Sequence, residues 1–200
     1  MKSVFDLTTQ HTDVGSKIFV AIERIAEVSR FALWDICKNK ELTHIQANIL
    51  IYTRFHEKNE QITITSLARH FMVTKATVSD SVKTLQSKKM LKKAVNQKDK
   101  RITFLALTGN GKKLADEVAL FAIPIHEQFD SFSEEKKATI LETLLFYLNR
   151  LQIKGMMPVQ RMCPSCTYLC SRKSGYYCKF LKSNIAKSAL RIDCPEHLPL

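Results

Sequence analysis

The sequence predicts a mainly α-helical protein with one small β-hairpin, an α+β class, followed by a short tail rich in cysteine. Apolar residues recur at helical spacing over most of residues 14–153. Two β-rich runs, LKKAV and RITFLAL, stand between the predicted helices. Five of the six cysteines follow Gly155, in a stretch that prolines interrupt. We therefore divide the chain into a helical domain, about 10–153, and a cysteine-rich extension, 155–200.

The composition narrows the class of protein. The chain has 200 residues, a formal net charge of +12 and a pI near 9.5, with 45% hydrophobic residues. The apolar fraction argues against disorder, and the positive excess predicts an acidic partner. The longest apolar runs fall far short of the roughly 20 residues of a membrane span, and the first residues lack the apolar core of a signal peptide. We expect a cytoplasmic protein without a membrane partner, in which clustered cysteines more often bind metal than form disulfides.

The long helices can be predicted from their apolar periodicity. The first carries more apolar surface than one small domain covers, which indicates a subunit partner. Residues 1–12 are polar and are expected to fray, and Pro124 predicts a kink or break near Ile123. Ile62 and Ile64 are expected to form a short strand against the hairpin. The predicted long helices span residues 14–38, 43–56, 108–129 and 133–153.

Residues 64–91 are typical of a helix-turn-helix. ITSLARHF predicts a short helix with Leu67, Ala68 and Phe71 inward, a turn follows at 72–74, and a second helix begins after it. The two β-rich runs come directly afterwards, joined by the basic segment 96–100, which predicts a hairpin with an exposed tip. A helix-turn-helix followed by such a hairpin is a winged helix, here about 42–107.

The chemistry of the second helix and the hairpin tip is that of a DNA reader. From Lys75 to Arg101 there are nine basic residues and only two acidic ones, Asp80 and Asp99. Hydroxyl and amine side chains of this kind bond phosphates and base edges. Thr74 is the expected N-cap of the helix. The predicted DNA-binding residues are Thr74, Lys75, Thr77, Ser79, Lys83, Lys98, Lys100 and Arg101.

The segment from 42 to 116 resembles the MarR family of bacterial winged-helix regulators. LTHIQANILIYTRF resembles the second helix of the family, TKATVSDSVKTLQSKKML its recognition helix, and DKRITFLALTGNGKKL its wing with an Asp-x-Arg signature. The resemblance implies a homodimer formed by the terminal helices, which sets two recognition helices about 34 Å apart on a pseudo-palindromic operator. It also implies that Lys75, Thr77 and Ser79 meet the major groove and Arg101 the minor groove. Asp80 stands where many relatives have arginine, so the operator sequence does not carry over.

The cysteine-rich extension has to be interpreted from its own residues. Cys163 and Cys166 form a Cys-x-x-Cys turn, which directs two sulfurs to one point, and Cys178 and Cys194 are the expected other two ligands. Cys170 is a substitute, and His197 a weaker one. Structural zinc is usually held by two such turns and this tail has one, so an iron–sulfur cluster is favoured, with zinc as the alternative. The remaining interpretation is that the cysteines of the extension are unligated thiols or form a redox disulfide.

Two further expectations concern the cysteines. The segment 179–193 is predicted to form a short helix whose inward side chains, Phe180, Leu181, Ile185 and Leu190, shield the site. Cys37 lies in the first long helix, where a lone cysteine is usually a small buried hydrophobe. In a peroxide-sensing branch of the MarR family a thiol in this region is the sensor, so Cys37 is also a candidate sensor.

The leading hypothesis is a homodimeric, sequence-specific transcriptional regulator whose DNA binding responds to a cysteine-ligated iron–sulfur cluster. An alternative regulator binds a small aromatic effector and carries a purely structural zinc. A second alternative is an iron–sulfur redox protein. No glycine-rich nucleotide loop, Ser/His/Asp arrangement or paired-carboxylate motif is recognisable, so we expect no catalytic residues and no enzyme.

Overall fold

The computed structural model describes residues 3–57, 61–95, 103–172 and 175–200. The chain forms two compact units. The first contains Met1–Lys58 and Ser79–Glu127, and the second contains Asn59–Val78 and Gln128–Leu200. The cysteine-rich extension thus shares a unit with the residues that lead into the recognition helix. None of the helices in the described ranges combines the length and apolarity that crossing a bilayer needs.

The first unit opens with three helices, α1 (Leu7–Thr12), α2 (Val14–Asn39) and α3 (His44–His56). Residues 7–12, which were expected to fray, instead form α1, and Asp6 caps it by accepting a hydrogen bond from the Thr9 N–H at 3.0 Å. The predictions for α2 and α3 are confirmed to within one residue at each end. A capping box of Thr43 and Gln46 starts α3.

The wing is a two-stranded antiparallel ribbon of β1 (Leu91–Val95) and β2 (Thr103–Leu107), in which Leu91 faces Leu107. The predicted hairpin is confirmed in these strands, and its tip at 96–100 lies outside the described residues. The Leu107 N–H donates to Glu57 Oε2 at 3.3 Å, and Lys112 Nζ lies 2.8 Å from Glu57 Oε1. Glu57 therefore ties the base of the wing to α3 and to the helix that follows.

That following helix, α6 (Gly109–Ala119), begins against the backbone that leads into the wing. Thr108 caps it by accepting from the Gly111 N–H at 3.0 Å. A Cβ atom at Gly111 would lie 2.0 Å from the Met90 carbonyl oxygen, whereas a Cβ at Gly109 would meet nothing within 4 Å. Glycine at position 111 is thus required by a close approach of two backbones.

The helix predicted over 108–129 is interrupted earlier than expected. It ends at Ala119 and continues as a 3₁₀ turn (Leu120–Ala122), the short α7 (Ile123–His126) and a second 3₁₀ segment (Glu127–Ser131). Proline has no N–H and its ring crowds the carbonyl four residues earlier. For Pro124 that carbonyl belongs to Leu120, which is where the α-helical geometry stops.

The second unit begins with residues 59–78, which contain the first helix of the helix-turn-helix, α4 (Ile64–His70), and the start of its second helix. The predicted strand at Ile62 and Ile64 is wrong: a capping box of Thr63 and Ser66 brings Ile64 into α4, and Ile62 is buried outside regular structure. The turn contains Met72 at φ +53°, and α5 (Lys75–Ser87) follows it. The helix-turn-helix prediction is confirmed.

The second unit continues with α8 (Glu134–Ile153), which matches the predicted last helix. Ser133 caps its start by accepting from the Lys136 N–H at 3.3 Å. Its end is a Schellman turn, because Gly155 takes φ +70° and the Met156 N–H donates to the Leu151 carbonyl at 3.0 Å. The chain then turns back toward α8 as the cysteine-rich extension.

The extension is a small antiparallel sheet in the order β3 (Leu169–Arg172), β4 (Gly175–Cys178) and β5 (Ser183–Ile185). Short 3₁₀ turns flank it at Cys163–Ser165 and Lys187–Ala189. The predicted helix over 179–193 is wrong. Lys182 at φ +53° reverses the chain, so β5 pairs with β4 and places Tyr177 opposite Asn184.

Candidate DNA-reading helix and four-cysteine site

The helix α5 presents a polar and basic surface. Lys75, Ser79 and Lys83 recur at four-residue spacing and so lie on one face of the helix. Both lysines are exposed, as is Thr77. Thr74 caps the helix by accepting from the Thr77 N–H at 3.1 Å. The side chains packed inside are Val78, Val82 and Leu85, each at most 1% exposed.

Two details of α5 differ from a simple basic helix. Asp80 pairs with Lys83 at 3.0 Å, and both side chains are more than 70% exposed. An exposed pair of this kind contributes only about 0.2–1 kcal/mol, so a phosphate can compete for the lysine. Ser81, another hydroxyl side chain of α5, is buried. The exposed polar surface is therefore narrower than the sequence indicates.

The predicted wing-tip residues Lys98, Lys100 and Arg101 lie outside the described residues, as does Asp99. The strand that leads to the tip carries Lys92 and Lys93, and both are exposed. The wing thus adds positive charge ahead of its tip.

The four predicted ligands of the extension line one cavity of about 230 Å³, here called the four-cysteine cavity. Cys163 and Cys166 are 8% exposed, and Cys178 and Cys194 are partly buried. Cys170 is not among the lining residues. It follows Leu169, which lines the cavity, and neighbouring strand residues point to opposite faces.

His197 is engaged elsewhere. Its Nε2 atom lies 2.9 Å from Ser165 Oγ and 3.0 Å from the Ser165 carbonyl oxygen, and burial lowers the pKa of the ring. Across the described residues, no three side chains of His, Cys, Asp or Glu converge closely enough to hold a single metal ion. The four cysteines therefore line the same cavity, but they are not positioned around a single metal ion.

Hydrogen-bond donors face two of the four sulfurs, and both come from Arg191. Its backbone N–H donates to Cys163 Sγ at 3.1 Å, and its guanidinium Nη1 donates to Cys194 Sγ at 3.7 Å. Burial raises the pKa of the Cys163 thiol, while the Arg191 N–H works in the opposite direction. Arg191 could not be predicted from the sequence, because nothing in its spacing from the cysteines marks it.

The extension is packed onto α8 through a small apolar core. Leu145 and Met162 are fully buried there, with Cys163 and Leu190 also buried. Cys163, one of the predicted ligands, is thus part of the same core as Leu145 of α8.

A polar clamp lies beside this core. Glu142 of α8 accepts from the Tyr176 hydroxyl at 2.7 Å and pairs with Lys187 at 2.8 Å. These two partners hold the pKa of Glu142 below its usual value, Lys187 having the larger effect. Burial and the neighbouring carboxylate raise the pKa of Tyr176 to about 12. The clamp was not foreseen, because its residues lie on three separate segments.

A second cavity of about 200 Å³, the connecting cavity, lies within the second unit. His70 and Met72 of the helix-turn-helix line it, together with Met162 and Asp193 of the extension. Met162 precedes Cys163 and Asp193 precedes Cys194 in the chain. The remaining lining residues are Leu148, Met157, Gln160 and Ile192.

Two other features bear on function. Cys37 is 2% exposed and burial raises the pKa of its thiol, which disfavours the reactive thiolate.

The helix α2 leaves a long apolar surface uncovered in the single chain. Its exposed members are Val14, Ile18, Ile25, Val28, Phe31 and Trp34, each between 52% and 66% exposed.

Comparison with known proteins agrees with this architecture. Residues 33–118 match a family model described as transcriptional regulator SarA/Rot. The structure of Staphylococcus aureus MepR in its DNA-binding conformation is similar, with 25% identity and a TM-score of 0.59 over 70% of this chain and all of that one. The chain has the winged-helix fold. No curated protein matches its sequence.

Two further structures support the same fold. The MepR–DNA complex from S. aureus has 22% identity and a TM-score of 0.56, covering 66% of this chain and 96% of that one. A MarR-family transcriptional regulator from Silicibacter pomeroyi has 17% identity and a TM-score of 0.59, covering 72% and 93%. The family model ends at residue 118, so it leaves the cysteine-rich extension unmatched.

Proposed function

We propose that this protein is a sequence-specific, DNA-binding transcriptional regulator. The observation that carries the proposal is α5, an exposed helix with Lys75, Thr77, Ser79 and Lys83 on its surface, in a chain of net charge +12. The first turn of a helix also offers free N–H groups and a partial positive charge to phosphate. MepR, which has the same fold, has been solved in complex with DNA.

The contacts divide by chemistry. Thr77 and Ser79 carry hydroxyls that bond base edges or phosphates, whereas Lys75 and Lys83 neutralise phosphates. By analogy with the MarR family, Arg101 enters the minor groove, and Lys98 and Lys100 add phosphate contacts at the wing tip. The base contacts select sequence, and the phosphate contacts supply most of the affinity.

The regulator acts as a homodimer. The apolar side chains of α2 that the single chain leaves exposed include Ile25 and Phe31, at 62% and 66% exposure, and contiguous exposed apolar surface of this kind marks interaction sites. A second copy of the chain covers such a surface with a two-fold related one. Two recognition helices then read half-sites about one DNA turn apart, roughly 34 Å.

The four-cysteine cavity binds an iron–sulfur cluster, with zinc as the alternative. Cys163, Cys166, Cys178 and Cys194 line one cavity, and four thiolates are the usual ligands of either group. The cavity volume of about 230 Å³ is several times the roughly 30 Å³ share of a water molecule, so it has room for a group of several atoms. The single Cys-x-x-Cys turn favours the cluster.

Occupancy of this site changes DNA binding through the connecting cavity. Met162 and Asp193 line that cavity and are the immediate chain neighbours of Cys163 and Cys194. A change in how the two cysteines are held therefore moves residues that lie beside the helix-turn-helix. The signal reaches the start of α5 within the second unit.

The experiment compares two cysteine substitutions. The protein is purified anaerobically, analysed for iron, sulfide and zinc, and used to select binding duplexes from a random-sequence pool. Cys178→Ser should lose the bound group and change affinity for the selected duplex at least about fivefold, the lower end of typical coupling. Cys170→Ser, a cysteine of the same sheet that does not line the cavity, is the matched control and should behave as wild type.

The outcomes separate the parts of the proposal. A pool that yields no enriched duplex would refute sequence-specific DNA binding. Colourless protein with one zinc per chain, and DNA affinity equal in both variants, would favour a structural zinc and a separate small-molecule signal. Equal metal content in Cys178→Ser and Cys170→Ser would refute the four-cysteine site.

A further inference from the structure

The cysteine-rich extension carries a strong local excess of positive charge. Residues 155–192 contain seven basic residues and no aspartate or glutamate. Carboxylates from outside this stretch neutralise two of the seven, because Glu142 pairs with Lys187 and Glu196 pairs with Arg191. A stretch with charges of one sign attracts a partner of the opposite sign. The seven basic residues are Arg161, Arg172, Lys173, Lys179, Lys182, Lys187 and Arg191.

Three of these residues are exposed at the two ends of the extension sheet. Arg172 ends β3, whereas Lys179 and Lys182 bound the turn between β4 and β5. None of the three pairs with a carboxylate in the part of the chain that the structure describes. Leu169, next to that turn, lies three residues from Arg172, or about 10 Å along the strand. Each DNA strand has a phosphate about every 3.4 Å, so this span corresponds to roughly three phosphates.

The two faces of the sheet differ in chemistry. Leu169 and Cys178 line the four-cysteine cavity, and Tyr176 packs against the apolar core. Strand residues alternate between faces, so Arg172 and Tyr177 lie on the opposite face, here called the outer sheet face. The Arg172 guanidinium lies 3.7 Å from the centre of the Tyr177 ring. The ring supports the guanidinium and leaves its N–H groups free to donate to an anion such as phosphate.

The apolar residues of the turn are occupied by the cavity. Phe180 and Leu181 both line the four-cysteine cavity, and the Phe180 ring lies 5.6 Å from that of Tyr168. A surface that binds a lipid bilayer presents apolar side chains beside its basic ones. On the outer sheet face Arg172 is instead accompanied by Tyr177, whose hydroxyl can bond phosphate. The chemistry of this face therefore favours nucleic acid over lipid.

The extension lies against the helix-turn-helix within the second unit. His70 and Met72 line the connecting cavity together with Ile192 and Asp193. Met72 belongs to the turn that leads into α5 at Lys75. Because the extension and the start of α5 belong to one compact unit, docking of α5 on DNA brings the positive charge of the extension toward the same duplex.

We propose that the outer sheet face and the adjoining turn form a second DNA-contacting surface, on which Arg172, Lys179 and Lys182 bind phosphates that flank the bases read by α5. The inference rests on the proposed DNA-binding function and adds a contact region outside the winged helix. Contacts with phosphates carry no sequence information, but they add affinity and lengthen the stretch of duplex that the protein covers. Each neutralised phosphate adds about 0.9 to the slope of log affinity against log salt, so three add about 2.7 per half-site.

The test uses the full-length protein and two duplexes that share the selected sequence. One duplex ends with that sequence, and the other is extended on each side by about one helical turn, roughly 10 base pairs. Wild-type protein should bind the extended duplex more tightly, with a salt slope steeper by about 2.7 per half-site. The variant that combines Arg172→Gln, Lys179→Gln and Lys182→Gln should lose this difference and bind both duplexes as wild type binds the short one.

Two further variants separate this contact from net charge and from folding. Lys136→Gln, Lys137→Gln and Lys154→Gln together remove the same charge from α8 and its C-cap and should keep the dependence on duplex length. Lys179→Gln with Lys182→Gln leaves the contact between Arg172 and Tyr177 intact. This pair should still lower the slope on the extended duplex by about 1.8 per half-site.

The outcomes distinguish the inference from the proposed function. Equal salt slopes of the wild type on the two duplexes, or equal losses in the extension and α8 variants, would overturn the second surface and leave DNA reading by α5 in place. Binding to phosphatidylglycerol vesicles that the extension variant loses, with no effect of duplex length, would assign the surface to a membrane instead. A protein that selects no duplex from the random pool would refute the proposed function and this inference with it.

Discussion

Replacement of Leu145 by alanine tests the physical link between α8 and the cysteine-rich extension. Leu145 is fully buried in a core that it shares with Met162, Leu190 and the predicted ligand Cys163. The core is small, and the extension contributes most of its other members. Removal of three carbon atoms from its centre should therefore loosen the extension more than any other part of the chain.

The expected magnitude follows from the burial. A fully buried leucine replaced by alanine usually costs 2–5 kcal/mol, because transfer free energy is lost and a cavity remains. Since about 1.4 kcal/mol is a factor of ten, amide hydrogens protected by this core should exchange about 30-fold to several thousandfold faster. The measurement is hydrogen exchange followed by mass spectrometry on peptides from residues 162–190.

Leu144→Ala on the same helix is the matched control. Leu144 is 42% exposed, so its truncation should cost about 1 kcal/mol at most, or roughly a fivefold change in exchange. If the two variants exchanged at the same rate in residues 162–190, Leu145 would not connect α8 to the extension.

Three further outcomes are expected. Lys75→Ala should reduce the slope of log affinity for the selected duplex against log salt by about 0.9, one phosphate contact, in binding titrations, whereas Lys137→Ala on α8 should not change it. Gly111→Ala should lower the thermal unfolding midpoint sharply, because its Cβ would lie 2.0 Å from a carbonyl oxygen, while Gly109→Ala should not; equal midpoints would contradict the close approach. Glu142→Gln should lower the free energy of unfolding in urea at neutral pH. The difference in this free energy from wild type should shrink as pH falls below 4.5 through the lowered pKa of Glu142. A difference that does not depend on pH would contradict stabilisation by the ionised Glu142 carboxylate.

The elements that the sequence predicted well are those in which local chemistry and burial agree. The helix α3 begins at Thr43 because Thr43 and Gln46 satisfy its first N–H groups, and that pattern is visible in the sequence. A capping box at Thr63 and Ser66 likewise places Ile64 in α4, although β-propensity alone indicated a strand there. Local capping outweighed the preference of the isoleucine side chain.

The cysteine-rich extension was predicted in part. The choice of Cys163, Cys166, Cys178 and Cys194 agrees with the residues that line one cavity, although binding of a group there stays a prediction. The secondary structure between Cys178 and Cys194 was wrong, because pairing of β5 with β4 is a non-local interaction that apolar periodicity does not reveal.

The contacts that Arg191, Glu142 and Met72 make with other residues of the extension depend on tertiary packing. Glu142 meets Tyr176 across 34 positions of the chain, and Met72 lines a cavity with Met162 across 90. Single-sequence patterns carry no information at such separations. Met72 is one of the residues through which we propose that the cysteine site is coupled to the DNA-reading helix.

The most direct test of that coupling is the affinity of one wild-type preparation for its selected duplex, measured by fluorescence anisotropy. The affinity is measured before the cysteine-bound group is removed, after its removal with a chelator under anaerobic, reducing conditions, and again after reloading. We predict a change of at least about fivefold on removal and its reversal on reloading. An affinity that stays the same in all three states would contradict control of DNA binding by the four-cysteine site.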